Sequence, residues 1–99
     1  MEEIFFRPKL HFFICTNDRE GRSPSCFPKI KTEDVKAVKQ WIREQGWTMQ
    51  VYCTNCKCLG FCNTEGGVLC VWPKGRFVKG LKSVEEIKQI VLEEVDELI

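Results

Sequence analysis

Seven cysteines stand in 99 residues, and four of them form two pairs whose spacing suits a metal. Ten residues separate Cys15 from Cys26, and three separate Cys58 from Cys62 in Cys58-Leu59-Gly60-Phe61-Cys62. Thiolates are strong ligands for zinc and iron. Two pairs from distant loops can close a four-coordinate site that neither loop could hold alone. Such a centre gathers negative charge, and backbone N–H groups must offset it. Gly21, Gly60, Gly66 and Gly67 flank the cysteines and can turn N–H groups toward sulfur.

The same cysteines leave other chemistries open. Cys53, Cys56, Cys58 and Cys62 would make a compact zinc knuckle, although the single residue between Cys56 and Cys58 is tighter than such sites use. That arrangement leaves Cys15 and Cys26 idle. Cys53-Thr54-Asn55-Cys56 has the Cys-x-x-Cys form of a thiol–disulfide oxidoreductase. Cys70 alternates within an apolar run and reads as a small buried hydrophobe. His11 stands alone inside a strand-like run and reads as structural. Neither a Ser/His/Asp set, nor a paired-carboxylate site, nor a phosphate-binding loop is present.

The elements that must position these thiols follow from local pattern. Leu10-His11-Phe12-Phe13-Ile14-Cys15 reads as a buried strand ending at Cys15. Residues 16–28 carry loop chemistry. Thr32 suits a helix cap, and Val35, Val38, Trp41 and Ile42 recur at helical spacing up to Gly46. Thr48 to Cys53 reads as a second strand, parallel to the first, with Cys53 at its end. Residues 54–67 carry no clear pattern. Val68 to Trp72, a Pro73-Lys74-Gly75 turn and Arg76 to Val78 form an antiparallel hairpin. Trp72 is expected to pack on the metal side. Ser83 and Glu86 make a capping box for a last helix, striped by Val84, Ile87, Ile90, Val91, Val95 and Leu98. Glu93, Glu94, Asp96 and Glu97 are expected on its solvent face. The order is β-α-β-β-β-α, an α/β domain with a mixed four-stranded sheet and helices packed on its faces.

Composition narrows the function classes. The length suits one domain over residues 1–99, with residues 1–8 as a possible loose arm. A net charge of +1 gives no general pull toward nucleic acid or a membrane surface. The lysines at 29, 31, 36 and 39 lack the aromatic interleaving of a nucleic-acid surface. No apolar run approaches the length of a bilayer span. The acidic start Met1-Glu2-Glu3 is unlike a secretory leader, so a cytoplasmic location is expected. In such a reducing setting this cysteine density points to metal or redox chemistry.

One combination of motifs goes further. Cys15-x10-Cys26, Cys58-Leu59-Gly60-Phe61-Cys62, Gly66-Gly67-Val68 and Val71-Trp72-Pro73-Lys74-Gly75-Arg76-Phe77 together resemble the thioredoxin-like 2Fe–2S ferredoxin family over roughly residues 9–97. The resemblance implies a thioredoxin-like fold and a 2Fe–2S cluster held by Cys15, Cys26, Cys58 and Cys62. It implies a one-electron carrier between redox enzymes, not a catalyst, and often a homodimer. The chain departs from the family pattern in three places. Gly67 stands where proline is common, and the segment from Cys62 to Pro73 is one residue longer. Phe77-Val78 replaces a more aromatic pair. Cys53 and Cys56 also place extra thiols beside Cys58, so a ligand exchange is chemically open.

Overall fold

The computed structural model describes residues 1–5, 7–16, 30–57 and 67–98. Its elements run β1 (Leu10–Cys15), α1 (Thr32–Glu44), β2 (Val51–Cys56), β3 (Gly67–Trp72), β4 (Arg76–Leu81) and α2 (Val84–Leu98). The four strands form one sheet in the order β2-β1-β3-β4. β1 and β2 are parallel, whereas β3 is antiparallel to both β1 and β4. This is the expected β-α-β-β-β-α order.

Strand alternation sorts the side chains onto two faces. Leu10, Phe12, Ile14, Val51, Cys53, Leu69 and Val71 share one face. They form a single core with Val35, Val38 and Ile42 of α1 and Ile87, Ile90, Val91 and Val95 of α2. Each large side chain buried there contributes roughly 1.5–3 kcal/mol over exposure. Both described helices therefore cover the same face. The opposite face carries His11, Phe13, Cys15, Tyr52, Thr54, Cys56, Val68, Cys70, Trp72 and Phe77 by the same alternation and register.

Local rules explain the helix ends. The cap of α1 is Lys31, one residue before the expected Thr32. Its extended backbone lets the Asp34 carboxylate accept the Lys31 N–H at 2.8 Å. At the far end Gly46 has φ +79. Its N–H donates to Arg43 O, and the Trp47 N–H donates to Ile42 O, which together make a Schellman closure. For α2, Ser83 Oγ accepts the Glu86 N–H at 3.3 Å, while Glu86 accepts the Lys82 N–H at 3.1 Å.

That closure also moves β2. The Gln50 and Val51 N–H groups both donate to Trp47 O, so residues 48–50 turn rather than extend. Pairing starts at Val51 opposite Leu10 and continues to Cys56 opposite Cys15. The strand expected over 48–53 thus lies three residues later, and Cys53 falls in its interior. β4 is likewise longer than the expected Arg76 to Val78, running to Leu81.

The register gives the sheet two distinct ends. Cys15, Cys56, Gly67 and Leu81 mark one, the thiol end. His11 pairs with Trp72 near the other, where the Pro73-Lys74-Gly75 turn lies. Trp72 therefore lies at the end of the sheet away from Cys15, not beside it as expected, because antiparallel pairing carries it there. It is half exposed.

The last turns of α2 also depart from expectation. Glu94 is 2% exposed, not on a solvent face. Its carboxylate meets Arg76 Nη1 at 2.7 Å and Lys74 Nζ at 3.1 Å. Arg76 also reaches Glu93 at 3.1 Å and Lys74 reaches Glu97 at 2.6 Å. The hairpin turn supplies cations where the helix C-terminus disfavours anions. Burial pushes the Glu94 carboxyl up, but hydrogen bonds from Arg76 and Lys74 outweigh it and hold the group below the ordinary glutamate range.

Candidate metal centre

Cys15 ends β1 and Cys56 ends β2, side by side in register. The ladder continues one step further, since the Thr16 N–H donates to Cys56 O at 3.0 Å. Both side chains lie on the face away from the helices and pack with Val68 in a small apolar cluster separate from the main core. Cys15 is fully buried and Cys56 partly so. Of the expected ligands, only Cys15 lies within the described residues; Cys26, Cys58 and Cys62 lie outside them. Among the described residues no group of three or more potential ligands gathers.

What is described is where the cysteine-bearing segments attach. The segment holding Cys26 leaves β1 at Thr16 and returns at Ile30. The segment holding Cys58 and Cys62 leaves β2 at Lys57 and returns at Gly67. All four attachment points belong to the thiol end. Ile30 is fully buried and presses on Gly67, where an added Cβ would overlap its Cγ1 and lie 3.2 Å from its Cβ. The close approach explains why glycine stands at 67 where proline is common, since any ring or side chain would collide with Ile30. The α1 N-terminus follows directly, with its partial positive charge at this end.

The remaining cysteines separate cleanly. Cys53 and Cys56 are three residues apart in one strand, so their side chains leave opposite faces of the sheet. Cys53 sits in the helix-covered core. Burial pushes its thiol up to about 12, with a small opposing pull from Lys39. A thiol held protonated is a poor ligand and a poor nucleophile. The geometry therefore opposes a Cys53–Cys56 disulfide and a zinc knuckle that includes Cys53. Cys70 is buried between its register partners Phe13 and Phe77, and burial raises its thiol too. Both fit structural roles.

His11 is structural, as its isolation suggested. Its Nε2 lies 2.7 Å from Thr54 Oγ1 and its ring stacks on Phe13 with centroids 4.1 Å apart. Partial burial lowers its pKa. A cavity of about 350 Å³ runs along edge strand β2 and includes neither Cys15 nor Cys56. Sequence reasoning missed the Cys15–Cys56 pairing. The alternation of Val51 and Cys53 against Tyr52 and Thr54, carried two residues further, is the signal that would have found it.

Comparisons with known proteins bear on the fold. No family model matches the chain, and no curated protein matches its sequence. Solved structures do. The thioredoxin-like [2Fe-2S] ferredoxin from Aquifex aeolicus is 26% identical, covering 91% of this chain and 88% of its own, with a TM-score of 0.76. A second structure of that ferredoxin is 27% identical over 86% of this chain and 78% of its own, with a TM-score of 0.71. A cysteine-to-serine variant of it superposes at TM-score 0.76 with 24% identity over 91% of this chain and 90% of its own. The chain has a thioredoxin-like fold, shared with these ferredoxin structures.

Proposed function

We propose that this chain is a thioredoxin-like 2Fe–2S ferredoxin, one domain over residues 1–99. It holds one cluster through Cys15, Cys26, Cys58 and Cys62. The observation that carries this reading is that the described attachment points of both cysteine-bearing segments lie at the same end of the sheet as buried Cys15. The likeness to structures of a [2Fe-2S] ferredoxin supports the choice of cluster.

The thiol end fits such a group. It offers cysteine sulfur and a small apolar lining from Val68, and α1 begins at the same end of the sheet. Glycines at 60, 66 and 67 stand in or beside the second segment. When bound, a 2Fe–2S centre supplies a one-electron couple. The chain's own residues hold it, shield one side of it and leave Cys56 at a partly exposed edge. The protein makes and breaks no substrate bond. It passes electrons between redox enzymes that serve as donor and acceptor, in the cytoplasm and as a homodimer. Among the described residues no helix is long and apolar enough to cross a membrane.

The test is a visible spectrum of protein made and kept without oxygen, with iron, acid-labile sulfide and zinc counted on the same sample. A coloured protein with about two irons and two sulfides per chain, bleached by dithionite, is the expected result. A colourless anaerobic sample holding stoichiometric zinc would overturn it.

A further inference from the structure

Cys56 has no part in the ligand set just proposed, yet it is the thiol the described structure brings to Cys15. The two share a register position on neighbouring parallel strands, where backbones run about 4.8 Å apart. They lie on the same face and belong to one cluster with Val68. Both occupy the last residue of a strand, not a long loop, so their relative position is set by the sheet. Resting on the ferredoxin reading, we propose that Cys56 is a second thiolate for the ligand position assigned to Cys58, able to complete the centre when Cys58 is lost.

Parity and reach support the exchange. Cys56 and Cys58 are two residues apart, and the covalent chain keeps their Cα atoms within about 7 Å. The other two cysteines near this region cannot substitute. Cys53 is on the opposite face in the main core, and Cys70 is enclosed between Phe13 and Phe77. The exchange replaces one sulfur–iron bond by another. The incoming Cys56 thiol gives its proton to solvent, and no electron is transferred.

The experiment compares wild type, Cys58→Ala, Cys56→Ala and the double variant, each made anaerobically, by iron and sulfide counts and visible circular dichroism. Cys58→Ala is expected to keep about two irons and two sulfides per chain with an altered dichroism spectrum. Cys56→Ala should match wild type, and the double variant should lose its iron at least tenfold. Cys58→Ser supplies a second readout. If Cys56 takes the position, the serine and alanine variants have the same all-sulfur spectrum. If serine oxygen takes it instead, the two spectra differ and the proposal fails. A loaded wild type beside a folded Cys58→Ala as empty as the double variant also overturns it. An iron-free anaerobic wild type would instead sink the ferredoxin reading itself, and this inference with it.

Discussion

Cys53 and Cys56 look equivalent on paper, but three residues of extended chain send one into the core and the other to the sheet's edge. The buried thiol carries a measurable signature. Its folded pKa is raised to about 12 from an ordinary 9.0, so its protonated form is fully favourable below pH 9. Above that the unfolded chain sheds the proton first. Stability should then fall with rising pH, by up to about 1.4 kcal/mol per unit from this group. Denaturant melts of metal-free protein between pH 8 and 10.5 should show that slope reduced in Cys53→Ala; equal slopes would refute the assignment. Gly67 offers a second test. Gly67→Ala drives a methyl into Ile30 and should cost about 1–3 kcal/mol. Combining it with Ile30→Ala should cost less than the two single changes summed. The types of residue able to bind metal were readable from the chain alone. The face each one takes was not, because that depends on where β2 starts.

Elements with strictly local causes were legible. The α1 stripe of Val35, Val38 and Ile42, the Gly46 stop and the Ser83–Glu86 cap all follow from spacing and appear as expected. β2 was misplaced because the Trp47 carbonyl, reached only through the Schellman turn, takes the Gln50 and Val51 N–H groups. No pattern within residues 48–53 announces that capture. The Glu94 clamp was hidden for a similar reason: its partners Lys74 and Arg76 lie on another element. Its effect should appear in acid. The folded carboxyl is held below its ordinary value, so the clamp is fully present above about pH 4.5 and is lost as pH falls through the lower folded value. Lys74 and Arg76 keep substantial contact with water, which keeps the contribution small. Thermal melts from pH 6 to 3 should therefore fall less steeply for Glu94→Gln than for wild type. Parallel curves would show that the clamp contributes nothing.

At the scale of the whole molecule, the sheet joins two ends held by different means. The turn end is tied by charge between the β3–β4 turn and α2. On the proposed reading, metal ties the thiol end by linking two segments that each leave and re-enter there, so removing it should loosen that end selectively. Hydrogen exchange on metal-free protein should quicken at Cys15, Cys56 and Val68, while amides paired near His11 and Val71 keep their protection. Uniform loss across the sheet would contradict that division. All three tryptophans belong to the turn end: Trp41 and Trp47 meet edge to face where α1 closes, and Trp72 pairs with His11. Intrinsic fluorescence thus watches the end of the protein away from Cys15. A metal-free chain could open around Cys15 with its emission unchanged, and a fluorescence melt would certify as folded a molecule that had already lost its working end.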